Sequence, residues 1–288
     1  MRRAASVLVA ALCAATLVGA IVAIAGRRAE GPARCAAGMV AIGPRCCGGG
    51  QRLDDAGRCR GAPARCAAGL DVTASGCVSA PRVARFSGGV LRIGPGDWEA
   101  QGVVTPREAR VAPYGIDALE VTEARWSACV DAGACPAVAL SGEPGLAVAG
   151  VTLDEAARFC AFAGGAVPTS DELAFAAAGP NARRYPWGDT GAVCRRAAFG
   201  LRDGPCGVGA VGPEVAGSHP AGASPDGVHD LSGNVAEWAL GGDPSRPVAE
   251  VRGGSWVDAS APALRSWQQR TLPPSHRSAE VGFRCAYR

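Results

Sequence analysis

Four stretches in the C-terminal part of the chain decide its reading. They are Tyr185-Pro-Trp-Gly-Asp189, Gly227-Val-His-Asp-Leu-Ser-Gly-Asn-Val-Ala-Glu-Trp238, Arg252-Gly-Gly-Ser-Trp256 and Gly282-Phe-Arg-Cys-Ala286. Beyond Pro180 the sequence is turns and short segments with little periodicity. A stretch of that kind needs something besides regular hydrogen bonding to fix it: disulfides, buried tryptophans or bound ions. The whole composition agrees. The chain has 288 residues, 48% hydrophobic and 19% charged, enough for one large core or two small ones. Aromatics are only 5%, against 41 glycines and 21 prolines, which favours a loop-rich domain over a helical bundle. The net charge of +3 is scattered, and no basic run interleaved with aromatics points to nucleic acid.

The N-terminus reads as a membrane element. Met1-Arg2-Arg3 precedes an uncharged run over residues 4–26, closed by Arg27-Arg28. At about 1.5 Å per residue that run spans roughly 34 Å, enough to cross a bilayer. Residues 1–28 are therefore expected to form a signal anchor, a single pass through the cell membrane. Ala23-Ile-Ala25 offers the alternative, a cleavage site near Ala25 that would release the rest as a secreted protein. Cysteines fix the side. Apart from Cys13 in the apolar run, the chain carries Cys35, Cys46, Cys47, Cys59, Cys66, Cys77, Cys129, Cys135, Cys160, Cys194, Cys206 and Cys285. Such density implies disulfides and an oxidising compartment, so the main domain is expected outside the cytoplasm, which is the periplasm if the cell is a Gram-negative bacterium. Zinc is disfavoured, because the cysteines lack zinc-type spacing and His219, His229 and His276 form no ligand motif.

Residues 29–82 form a Cys-rich segment with an internal echo. Cys35-Ala-Ala-Gly-Met39 resembles Cys66-Ala-Ala-Gly-Leu70, and each is followed by a further cysteine, Cys46 or Cys77. So short a segment has too little apolar area to fold on core burial alone, and its six cysteines allow many pairings among which the sequence does not choose. It is expected to be a stiff disulfide stalk, with a small binding module as the alternative. Residues 83–288 make the main domain. Phe86 to Gly94 reads as a strand punctuated by glycine, and Val111 to Tyr114 as an edge strand because of Pro113. Three helices have start and stop signals. Thr122 caps one ending before Gly133. Thr152 with Glu155 and Thr169 with Glu172 make capping boxes for two more, ended by Gly164-Gly165 and Gly179.

The four stretches, in their order, resemble the formylglycine-generating enzyme, or sulfatase-modifying factor, family. Ile116-Asp-Ala-Leu-Glu-Val-Thr-Glu-Ala-Arg-Trp126 resembles its early helix entry, and Phe159-Cys160 with Val167-Pro-Thr169 its middle segment. The resemblance covers roughly residues 85–288. The fold it implies is α+β, C-type-lectin-like, with little regular secondary structure. It also implies a long-range Cys160–Cys285 disulfide, while proximity in sequence suggests Cys129–Cys135 and Cys194–Cys206. The loop from Asp230 to Glu237 resembles a family calcium site, with carboxylates from Asp230 and Glu237 and carbonyls from Gly233 and Val235. The other reading makes Asp230 and Asn234 turn residues and Glu237 a buried structural partner. A second family calcium site would fall near Ala197-Ala198, which offer no ligating side chain.

The chemistry that the resemblance implies is missing its metal ligands. Oxidases of the family hold copper through two thiolates just beyond Gly-Gly-Ser. Here that stretch is Val257-Asp-Ala-Ser-Ala-Pro-Ala-Leu264, and no cysteine lies between Trp256 and Cys285. The two thiolates would align near Asp258 and Ala263; Ser255 is retained, and Ala236 stands where the family carries a tryptophan. Copper and cysteine oxidation are not expected, and no catalytic residue is assigned. Another branch of the fold makes carbon–sulfur bonds on a non-haem iron, using histidines from an added helical domain. This chain has three scattered histidines and no room for that domain. Two classes of function remain. One is a non-catalytic binding or scaffold module for a protein or glycan, with Arg265, Trp267, Gln268 and Arg270 as the contact surface. The other is an enzyme: a formylglycine-type oxidoreductase acting on a protein cysteine, or rebuilt chemistry from Ser255, Asp258 and His276.

Overall fold

Glycine and proline set the strand ends. The computed structural model describes residues 82–94, 104–243 and 245–288 and, before them, parts of 35–78. The strands of the main domain are β1 (Val83–Phe86), β2 (Gly89–Ile93), β3 (Arg107–Val111), β4 (Tyr114–Asp117), β5 (Ala236–Asp243), β6 (Arg246–Arg252), β7 (Gln269–Thr271), β8 (Val281–Gly282) and β9 (Ala286–Tyr287). The stretch expected as one strand, Phe86 to Gly94, is instead a corner. Gly88 takes φ +76°, and a Cβ there would sit 2.4 Å from the Val111 carbonyl oxygen, so the chain turns and β1 and β2 enter different sheets. The edge strand expected over Val111 to Tyr114 is likewise a break. Ala112-Pro113 interrupts pairing, because proline has no N–H to donate, and β3 and β4 lie on either side of it.

Three helices are found among the described residues: α1 (Glu123–Asp131), α2 (Leu153–Phe162) and α3 (Ser170–Ala178). Thr122 caps α1. Thr152 and Thr169 open α2 and α3 with complete capping boxes, in which Glu155 and Glu172 reach back to the cap N–H groups. Gly164 and Gly179 follow α2 and α3 with positive φ. The sheets are small. One has the order β9-β4-β1, all antiparallel, and another the order β7-β6-β5-β8, in which only β5 and β8 run parallel. The C-terminal segment thus contributes to both sheets. The architecture is α+β, as the family resemblance implies.

Aromatic clusters replace extended sheet as the core. Trp126 stacks on Phe159, and Phe283 packs edge-on against both. Phe86, Tyr114 and Phe175 form a second centre with Leu91, and Tyr185, Phe199, Trp256 and Leu264 belong to a third. Disulfides join Cys160 to Cys285, Cys129 to Cys135, Cys194 to Cys206, Cys47 to Cys59 and Cys66 to Cys77; Cys35 is also disulfide-bonded.

The described part of the Cys-rich segment lies against the domain. The Cys59 N–H donates to Glu143 Oε1 at 2.8 Å. Gly145 fits so closely that a Cβ would stand 2.0 Å from the Cys77 carbonyl oxygen, and Cys77 packs with Leu146 and Val215. The expected anchor, residues 1–28, lies outside the described residues. Among those described, no helix is long and apolar enough to cross a membrane.

Candidate functional site

The loop before β5 is built around Asn234. Gly233 has φ +93° and no room for a Cβ, which would stand 2.5 Å from the Ala198 carbonyl oxygen, and Asn234 follows at φ +59°, which asparagine tolerates better than most residues. Every polar group of Asn234 is then used. Its N–H donates to Ala198 O and its carbonyl accepts from Trp256 N–H, both at 2.8 Å. Its Oδ1 accepts from Glu214 N–H at 2.8 Å, and its Nδ2 donates to Glu120 Oε2 at 2.6 Å. Glu120 Oε1 takes the Val235 N–H at 3.1 Å. Burial holds the Glu120 carboxyl well above the usual carboxylate range, with Asp230 and Glu237 pushing the same way.

Beneath the loop sits a buried guanidinium. Arg284 Nε and Nη2 donate to Glu237 Oε2 and Oε1 at 2.6 and 2.7 Å, while Nη1 and Nη2 donate to the Asp117 and His229 carbonyls. Burial works against the Arg284 charge, but Glu237 outweighs it and raises the pKa above its ordinary value. This pair bears directly on calcium. Asp230, Gly233, Val235 and Glu237 share the loop, yet both Glu237 oxygens are committed to Arg284. Asp230 Oδ2 is committed to the Gly217 N–H at 2.5 Å. Calcium needs about six to eight oxygen ligands. Among the described residues no group of three or more His, Cys, Asp or Glu is arranged to hold a metal. The donor set as folded does not fit calcium; an internal guanidinium already supplies the positive charge.

The region corresponding to the family's thiolates is closed. Gly253 and Gly254, at φ +92° and +69°, turn the chain out of β6. Ser255 is fully buried, and both its N–H and its Oγ donate to Asp258 Oδ2, at 2.7 and 2.9 Å. No hydrogen bond joins Ser255 to His276 among the described residues, so the Ser-His-Asp arrangement is not assembled. Ala236, Asp258, Ala263, Gln268 and Arg270 surround a recess of about 30 Å³, room for little more than a water molecule. The expected contact surface divides. Arg265 is buried, with its guanidinium 5.8 Å from the Trp267 ring centre; Trp267 and Gln268 are half-buried, and Arg270 is exposed.

A larger cavity, about 730 Å³, lies elsewhere. It opens between β3, the start of α3, the β5–β6 hairpin and Arg288. Sequence reasoning missed it. Its polar groups come from distant segments, and the available hint, Ser170 inside a capping box, has an ordinary helical explanation.

These features coincide with known proteins. Residues 71–288 match the family model described as sulfatase-modifying factor enzyme 1-like domain. The chain belongs to the sulfatase-modifying factor family. The match begins inside the Cys-rich segment. Hercynine oxygenase of Mycolicibacterium thermoresistibile is 32% identical over 166 residues, covering 48% of this chain and 35% of that protein. The mouse inactive C-alpha-formylglycine-generating enzyme 2 is 31% identical over 155 residues, 49% of each. The chain thus spans about half or less of the curated relatives it matches. Among solved structures, PvdO from Pseudomonas aeruginosa superposes with a TM-score of 0.59 at 20% identity, over 72% of this chain and 94% of PvdO. Sulfatase-modifying factor membership explains the four stretches as scaffold. Asn234, Glu237, Trp256 and Arg284 each satisfy buried partners, and those contacts do not depend on the thiolates.

Proposed function

We propose that this chain is a non-catalytic binding or scaffold member of the sulfatase-modifying factor family. It acts outside the cytoplasm, tethered by residues 1–28, or is secreted if they are cleaved near Ala25. One observation carries the reading. Where the family's copper thiolates would stand, Asp258 and Ala263 border a recess of about 30 Å³, and the neighbouring Ser255 is tied to Asp258. A cysteine-containing peptide has neither a soft ligand nor space there. Similarity to an enzyme named inactive supports the same reading. The disulfides support an oxidising compartment. The partner is a protein or glycan rather than nucleic acid. No calcium is included in the proposal, because both Glu237 oxygens accept from Arg284.

The test uses the full-length, oxidised protein in detergent. Metal analysis is expected to find copper far below one atom per chain, and a cysteine peptide is expected to cause no oxygen uptake. Chelation with EDTA should leave thermal unfolding unchanged. Stoichiometric copper with oxygen consumption would overturn the reading, and a chelator-induced drop in Tm would restore calcium.

A further inference from the structure

The 730 Å³ cavity is separate from the closed recess, and the chemistry lining it is specific. Glu250 forms part of its wall. Gly241, on the facing strand, makes this placement feasible: a Cβ there would stand 2.2 Å from the Glu250 carboxyl carbon. The carboxylate therefore lies over bare β5 backbone. Its Oε2 accepts from Ser170 Oγ at 2.5 Å, and Ser170 Oγ accepts from Arg252 Nε at 2.9 Å. Arg252 directs the hydroxyl proton toward Glu250, and this chain fixes the carboxylate's orientation. Burial pushes the Arg252 pKa down to about 10, so it remains a cation at neutral pH. Glu250 Oε1 has no hydrogen-bond partner among the described residues.

Three arginines line the same cavity. Arg107 is paired with Asp171 at 2.5 Å and Arg288 with Glu172 at 2.6 Å. Arg110 is exposed and makes no hydrogen bond or ion pair among the described residues. Among the described residues, the Arg110 guanidinium is thus the lining cation outside any ion pair, and Glu250 Oε1 is a carboxylate oxygen left open beside it; Arg107 and Asp171 keep further atoms free but hold each other's charge. Val111, Leu240 and Pro247 supply apolar wall between polar groups. The volume falls within the roughly 300–1,000 Å³ typical of small-molecule sites.

We propose that this cavity binds a zwitterionic ligand of the amino-acid or short-peptide class, with its ammonium on Glu250 and its carboxylate on Arg110. A neutral sugar would leave the Arg110 charge unused, and a simple anion would leave Glu250 Oε1 without a donor. The inference deepens the binding-module reading and rests on it.

The test is calorimetric titration of the full-length protein with L-alanyl-L-alanine, beside its N-acetylated and C-amidated forms. The expected Kd is about 1 mM or tighter. N-acetylation and Glu250→Gln should each weaken binding by about tenfold or more, and amidation and Arg110→Ala each by about fivefold. Glu250 also balances buried Arg252, so Glu250→Gln carries a folding risk. Arg110 is exposed, and its variant keeps the test decisive. No binding at about 10 mM dipeptide, or binding that does not depend on both charged ends, overturns the proposal. Copper-dependent oxygen uptake by the same preparation would instead sink the binding-module reading, so the two failures are distinguishable.

Discussion

Asn234 does locally what a longer strand does in a regular sheet: it joins four segments of chain through one residue. Glu120, the partner of its side-chain amide, is 114 residues away in sequence, so nothing at the level of motif reveals that contact. Asn234→Ala would leave the Glu214 N–H and one Glu120 oxygen without their partners and place alanine at φ +59°. Each of the two buried losses costs about 1–3 kcal/mol and the backbone about 1 more, so a destabilisation of about 3–7 kcal/mol is expected. Urea unfolding would read it as a lowered midpoint at unchanged m-value. His219 gives a pH-dependent counterpart. Its Nε2 lies 2.5 Å from Glu214 Oε2, both groups buried. Burial opposes the imidazolium, but the Glu214 carboxylate outweighs it, and the pKa rises above the ordinary 6.5. A raised folded value means that the stabilisation is fully present below about pH 6.5 and is lost as pH climbs through the folded pKa. The difference in unfolding free energy between wild type and His219→Gln should therefore be larger at about pH 6 than at about pH 9. A difference that did not change with pH would show that this histidine stays neutral.

At the scale of elements, what the sequence makes legible is what is encoded within one turn. Thr152 with Glu155 and Thr169 with Glu172 lie three residues apart, and both capping boxes form as their spacing predicts. Thr152→Ala should cost about 1 kcal/mol, within a range of about 0.5–2, as measured by urea unfolding. A value near zero would mean that Arg277, which reaches Glu155 Oε1 at 2.6 Å, holds the helix start unaided. Strands are less legible, because their ends depend on partners far along the chain. The Phe86 to Gly94 stretch has strand composition throughout, but the proximity of Gly88 to Val111 splits it. The candidate sites follow the same rule. The absence of thiolates near Ser255 is visible in the sequence. The cavity is not, because Ser170 and Glu250 are 80 residues apart and meet only when α3 packs beside β6. Glu237 reads plausibly as a calcium ligand until Arg284, 47 residues on, takes both its oxygens.

For the molecule as a whole, closure of the chain on itself is the main structural device. The C-terminal segment pairs β8 with β5 and β9 with β4, and the Cys285 N–H donates to Asp117 Oδ2 at 3.1 Å. Cys160–Cys285 fastens that segment across a separation of 125 residues, whereas Cys194–Cys206 spans 12. In the chain-entropy account a disulfide stabilises by restricting the unfolded ensemble, with a term that grows as the logarithm of loop length. The long bridge is then worth about 5 kcal/mol and the short one about 2 kcal/mol less. Replacing both cysteines of a pair by alanine avoids stranding a buried thiol. The Cys160→Ala, Cys285→Ala variant should lose about 5 kcal/mol, and the Cys194→Ala, Cys206→Ala variant about 3, in denaturant unfolding. Cys160 and Cys285 are completely buried, so cavity formation adds to the first loss and widens the gap. Equal losses would mean that the paired strands and the Arg284 contacts already restrain the C-terminal segment in the unfolded ensemble, making the covalent closure redundant.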